Sequence, residues 1–242
     1  MRGSITSLIY CGYSAPEAYW LRVAVGSFFA SNNAPLLVVD NTGPDDPLDT
    51  LTWLRDQPRV ILTRSLATPG EDGRREHGDG YDAALGWCRA TGVDFLISLE
   101  CDCEISTDLW RLDLLGAMTA GVDMAGSCRL DYGPLHHMPA CYRVAAEWPS
   151  FCRAPKNGEP NSADYPRVFD DAALQAAVAG YARGDQYLAH LTWFRQTWDT
   201  GQLAWYRSAI AGRTAHVDAP GITHHWHGAT RSPSPEVFAR WV

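Results

Sequence analysis

Short, uninterrupted apolar stretches alternate with amphipathic ones through the first half of the chain. Residues 4–11 (SITSLIYC), 36–40 (LLVVD), 59–63 (RVILT) and 94–100 (DFLISLE) are rich in aliphatic side chains and bounded by turn formers, which predicts strands. Between them, residues 15–30, 48–56 and 81–91 carry helical spacing, and Pro16 suits a helix's first turn. Residues 66–80 are polar and hold four glycines, so a loop is expected there. Strands that are apolar on both faces, in the order β-α-β-α-β-α-β, predict an α/β fold: a mostly parallel sheet covered by helices on both sides.

Beyond residue 100 the pattern predicts a helix over 107–120, a strand over 122–129, helices over 171–183 and 199–212, and a final strand over 214–226. Residues 134–168 are rich in proline and aromatic residues and read as loops or short strands. No repeat or linker interrupts the chain. The expectation is one domain over 1–242, with a regular half (1–129) and an irregular half (130–242).

Composition narrows the partners. Of the 242 residues, 46% are hydrophobic and the net charge is -8, which suits a globular core and argues against nucleic acid or an anionic membrane as the main partner, while a small anionic substrate stays open. No apolar run approaches the ~20 residues of a membrane span, and the first residues lack the apolar core of a signal peptide. The seven cysteines form no Cys-x-x-Cys pair and read as reduced, buried residues of a cytoplasmic protein.

In open parallel sheets, ligands gather beyond the carboxyl ends of the strands. Those ends carry Tyr10-Cys11-Gly12, Asp40-Asn41 and Glu100-Cys101-Asp102. Carboxylates at i and i+2 can converge on a hard cation such as Mn2+ or Mg2+, with Cys101 pointing away; acidic residues also simply mark strand ends. Near the carboxyl end, His224-His225-Trp226-His227 places three of the eight histidines in four positions. Strand alternation puts His225 and His227 on one face and His224 on the other. Asp199, with Gln202 after it, fits either a helix cap or a general base. Asp82, in HGDGYD, fits either a helix cap or a contact to a ligand hydroxyl. Trp148, Trp193, Trp198, Trp205 and Trp226 suit core packing first and sugar rings second.

Taken in order, the strand-turn at 4–14, LLVVDN, HGDGYDAAL, DFLISLECD, WDTG and HHWHG resemble a glycosyltransferase of the GT-A fold, family-2-like. The resemblance implies that 1–129 binds a nucleotide-diphosphate sugar and that 130–242 binds the acceptor and completes the metal and diphosphate site. It sets Glu100-Cys101-Asp102 in the place of the Asp-x-Asp element, with Asp102 the direct metal ligand and Glu100 near the ribose or the metal-bound water. It implies nucleoside contacts from Asp40 and Asp82, with Tyr10 and Gly12 at the same edge. It implies metal or diphosphate contacts from His224 and His227, with Arg231 beside the diphosphate, and a catalytic base at Asp199 if the reaction inverts. The implied cofactor is Mn2+ or Mg2+, and the implied acceptor is a small molecule or glycan. Three other readings stay open: a sugar-phosphate nucleotidyltransferase, a zinc hydrolase built on the histidines, and an inactive nucleotide-sugar binder. The first would normally carry a basic glycine-rich loop after the first strand, where this chain has CGYSAPEAYW.

Overall fold

The computed structural model describes residues 3–43, 46–65, 73–129, 133–148, 150–151, 171–180, 184–185, 188, 208, 211–225 and 230–242. Strands β1 (Ser4–Tyr10), β2 (Leu36–Asp40), β3 (Val60–Arg64), β4 (Phe95–Leu99), β6 (Met124–Arg129), β7 (Gly133–Arg143) and β8 (Thr214–Val217) form a seven-stranded sheet in the order β3-β2-β1-β4-β7-β6-β8. All of its neighbours pair in parallel except those of β7, which is antiparallel to β4 and β6. The protein thus has the α/β architecture expected from its periodicity. A separate two-stranded ribbon pairs β5 (Cys103–Ile105) with β9 (Ile222–His224).

Alternation along each strand supplies two cores. Leu8, Tyr10, Leu36, Val38, Ile97 and Leu99 face helices α1 (Ala15–Ser31), α2 (Thr50–Arg55) and α4 (Leu109–Ala117). Ile5, Ile9, Leu37, Val39 and Leu96 face α3 (Gly73–Thr91) and α5 (Asp171–Ala179). Burying each such side chain contributes roughly 1.5–3 kcal/mol, which is why strands buried on both faces read as continuous apolar runs. The carboxyl-terminal helix α6 (Pro235–Trp241) lies against α1: a Cβ on Gly26 would sit 2.2 Å from the Trp241 carbonyl oxygen.

Four elements depart from the sequence reading. Helix α3 starts at Gly73, inside the expected loop, because tertiary packing outweighs the ~1 kcal/mol propensity cost of each interior glycine. Gly80 earns its place there: a Cβ would meet Ile9 Cγ2 at 2.5 Å, so only glycine lets α3 approach β1 this closely. Strand β7 is eleven residues long despite Pro134 and Pro139. Its register jumps from Gly126↔Ala140 to Ser127↔His136, so Pro139 falls in an irregularity where no ladder donor is needed. The expected final strand is two strands in different sheets, broken where Ala219 (φ 46) and Gly221 (φ 89) turn the chain. Helix α6 was not anticipated, although Ser234-Pro235-Glu236 carries the signals of a helix start. The expected helix over 199–212 lies almost wholly outside the described residues.

Candidate metal centre at the sheet edge

The chain leaves β4 through Glu100, Cys101 and Asp102 and turns directly into β5. Antiparallel pairing of β5 with β9 sets Cys103 opposite His224, and the His225 amide donates to the Asp102 carbonyl at 3.0 Å. This register carries a histidine from 122 positions away into the acidic turn. His224 Nε2 lies 2.8 Å from Asp102 Oδ1 and 3.0 Å from Glu100 Oε2. One donor atom from each of the three residues falls within a 4.8 Å span. The side chains of His224, Asp102 and Glu100 are 3%, 10% and 27% exposed, so the cluster is buried on the histidine side and open on the Glu100 side.

Burial pulls the His224 pKa down, but hydrogen bonds and charge from Asp102 and Glu100 outweigh it and hold the imidazole near about 9. At neutral pH a proton therefore sits between the carboxylates, in the position a divalent cation would take. Two carboxylates and an imidazole make a donor set that could hold a divalent cation. The Cys101 thiol turns away and donates to the Ile9 carbonyl at 2.9 Å, and burial pushes its pKa well up. Five described cysteines are buried thiols outside any disulfide, among them Cys101 and Cys103.

The other candidate residues have different placements. His225 turns from the cluster, stacks on Trp20 at 4.2 Å and puts Nε2 3.4 Å from Glu104. Glu104 also accepts from Arg240 at 2.9 Å and from the Trp241 indole at 2.8 Å, tying α6 to β5. Asp40 is buried at the end of β2; its Oδ1 accepts from the Thr42 amide at 3.0 Å and hydroxyl at 2.7 Å, and Arg64 stands 3.9 Å from Oδ2. Beside it, the Ser65 hydroxyl donates to Asn41 and the Asn41 amide to Cys11 Sγ, giving the β1, β2 and β3 ends one polar floor.

The Tyr10 side chain is fully buried under α1 and its hydroxyl donates to Asp46 Oδ1 at 3.2 Å. Burial pushes the phenol pKa up. Asp82 is not a helix cap: it lies within α3, where it accepts from the Ser150 hydroxyl at 2.7 Å and the Phe151 amide at 2.9 Å, fastening the segment after β7. Gly12 has φ 69, the left-handed conformation glycine tolerates. Arg231 is exposed; its carbonyl accepts from the Trp20 indole at 2.6 Å, beside a cleft of ≈ 220 Å³ that it lines with Trp20, His225, Ser232, Ser234 and Val237. Asp199 and His227 lie outside the described residues.

One residue escaped the sequence reading. Glu17, in the first turn of α1, is 7% exposed and accepts from the Cys11 amide at 3.0 Å and the Tyr13 amide at 2.7 Å. Burial raises its pKa to about 7, partly offset by these amides, while Asp102 adds to the rise. The signal was Ser14-x-x-Glu17, a capping-box spacing just ahead of an apolar run.

No protein-family model matches the chain, and no curated protein matches it. Among solved structures it is similar to S. aureus TarS 1–349, with 11% identity and a TM-score of 0.46 over 98% of this chain and 62% of that one. The same TarS 1–349 in complex with UDP-GlcNAc gives 11% identity and a TM-score of 0.46 over 99% of this chain and 64% of that one. A further structure of S. aureus TarS gives 11% identity and a TM-score of 0.40, covering 59% of this chain and 28% of that one. The chain thus spans less than two thirds of the length of each.

Proposed function

We propose that the protein is a GT-A-type glycosyltransferase that moves a sugar from a nucleotide-diphosphate donor to an acceptor hydroxyl, with a divalent cation at Glu100, Asp102 and His224. The observation that carries the reading is the convergence of these three side chains at the carboxyl edge of parallel strands, one of them delivered by the β5–β9 ribbon. A cation bound there would offset the charge that develops on the departing diphosphate. The residues of the chain supply the rest. Asp102 and His224 are held on the buried side, so they define the position of the centre. Glu100, more exposed, faces the side from which the donor enters. Asp40, Asn41 and Ser65 make the floor on which the nucleoside rests.

Asp199 takes the role of acceptor base on the sequence alone, Arg231 and His227 belong beside the diphosphate, and residues 130–242 carry the acceptor pocket. A cytoplasmic setting fits buried thiols outside any disulfide; among the described residues no helix is long and apolar enough to cross a membrane. The nucleotidyltransferase alternative is disfavoured by Glu17, whose carboxylate occupies the loop amides that would grip a triphosphate.

The test is calorimetric titration of UDP, GDP, ADP and dTDP with and without Mn2+, on the wild type and on Asp102→Ala. The expected result is Mn2+-dependent binding of one diphosphate that the variant loses while its far-ultraviolet spectrum is unchanged. Equal affinity in the two proteins would refute the cation site. Stoichiometric, tightly held zinc would favour the hydrolase, and binding without turnover of any nucleotide-sugar would favour the inactive binder.

A further inference from the structure

The loop between β1 and α1 contains an anion-binding nest, and the protein fills it with its own carboxylate. The amides of Cys11 and Tyr13 donate to the two oxygens of Glu17 at 3.0 and 2.7 Å. Successive amides converge in this way when one residue is left-handed, and Gly12 is, at φ 69. Glu17 is held in turn by α1: its amide donates to the Ser14 hydroxyl at 3.3 Å. In an ordinary capping box the glutamate would bond the cap residue's own amide. Here it reaches further, to residues one and three positions before the cap, and so fixes the shape of the whole turn.

We propose that Glu17 is a positioning residue whose carboxyl group, seated on the loop amides, sets the β1–α1 loop for the nucleoside and denies that loop to phosphate, so that the donor's diphosphate is directed to Glu100, Asp102 and His224. The proposal rests on the nucleotide-sugar reading for its second half only. The nest at the start of a helix is where many nucleotide-binding folds hold phosphate. A carboxylate already there leaves no amide for a phosphate. It also sets a carboxyl group close enough to Asp102 for the Asp102 charge to add to the rise in the Glu17 pKa, so a phosphate lodged between them would be repelled. The diphosphate then depends on the cation.

The experiment has two arms, one for each half. In the first, Glu17→Ala and the wild type are melted in increasing sodium formate, at constant ionic strength set with chloride. Formate carries the missing carboxylate, so Glu17→Ala should show a saturable rise in Tm that the wild type lacks; identical formate responses would overturn the nest. In the second, the affinity of UDP, GDP, ADP and dTDP is measured with saturating Mn2+, and that of Mn2+ alone separately. Glu17→Ala should bind the preferred diphosphate at least tenfold more weakly, recover most of that in formate, and bind Mn2+ alone within about threefold of wild type. Unchanged diphosphate affinity, or a loss that formate does not restore, would overturn the positioning role. If Glu17→Ala does not fold without formate, Glu17→Gln is read instead. Its single carbonyl oxygen keeps one amide bonded and its NH2 opposes another, so it should fold and show the same loss of diphosphate affinity, and wild-type affinity in Glu17→Gln would refute the role. A wild type that binds none of the four diphosphates would refute the proposed function, while the formate arm would still decide the nest.

Discussion

Asp102→Asn separates the two occupants that the Glu100–Asp102–His224 cluster can hold, a proton and a cation. In cation-free protein, the His224 pKa is raised from 6.5 to about 9. A group raised on folding contributes stability that is fully present below its unfolded pKa and is lost as pH climbs through its folded pKa. The window is therefore pH 6.5 to about 9, and the shift corresponds to about 3 kcal/mol at its low-pH end. For a chain of this length that is roughly 6–12 °C in Tm. Glu17 has the same sign with a window from 4.5 to about 7, and the buried thiols of Cys88, Cys101 and Cys141, also raised, add a fall of the same sign once unfolded thiols ionise near pH 9, so measurements between about pH 7 and 8.5 report mainly the histidine. Urea unfolding in EDTA should show wild-type stability falling across that range. Asp102→Asn removes the partner at 2.8 Å and should flatten the fall by roughly half or more. Adding Mn2+ should reverse the sign, because the cation must displace the proton. Its apparent affinity should rise about tenfold per pH unit between 7 and 9. Parallel EDTA curves for the two proteins, or Mn2+ affinity independent of pH, would refute the reasoning.

Other substitutions probe the scaffold. Gly80→Ala should destabilise by about 1–3 kcal/mol in urea unfolding, since its Cβ would press on Ile9 at 2.5 Å and force α3 from β1. Gly221→Ala combines φ 89 with a Cβ placed 2.1 Å from Thr107 Cγ2; it should cost about 1–3 kcal/mol and weaken Mn2+ binding measured by calorimetry, because the turn it distorts delivers His224. Ser14→Ala removes the acceptor of the Glu17 amide and should cost about 1 kcal/mol in thermal unfolding, with diphosphate affinity retained because the Glu17 carboxylate keeps its own partners.

Local pattern made the parallel half legible. Strands β1, β2 and β4 are buried on both faces, and such strands must read as apolar runs, while the edge strand β3 is only half-buried. What failed locally had a tertiary cause. Propensity argues against Gly80 in a helix, yet the close fit of α3 on β1 requires the side chain to be missing. Pro139 argues against a central strand, yet β7 is irregular at that point. Composition could nominate the acidic turn and the histidine run, because strand ends collect ligands in parallel sheets. It could not choose among the histidines, since the strand's faces only acquire meaning once a partner is known. Spacing grouped His225 with His227; pairing of Cys103 with His224 instead set His224 on the carboxylates and His225 on Trp20. Glu17 was hidden for a different reason: its spacing names a cap, and nothing in the sequence reveals how far beyond the cap its carboxylate reaches.

That histidine choice has an architectural consequence. Asp102 belongs to a turn anchored in the central sheet, whereas His224 belongs to a ribbon outside it, joined by three residue pairs. The ribbon is secured at one end by Gly221, whose carbonyl accepts from the Ser106 amide at 2.8 Å. Glu104, two residues past Asp102, secures it at the other, gathering Arg240, Trp241 and His225 onto the same strand. Helix α6 then packs on α1 at Gly26, and α1 carries Glu17 and Trp20. The β1–α1 loop, the Glu100–Asp102–His224 cluster and helix α6 are therefore coupled through one helix. Loosening α6 should disturb His224 and the β1–α1 loop together, although neither lies in the element that moves.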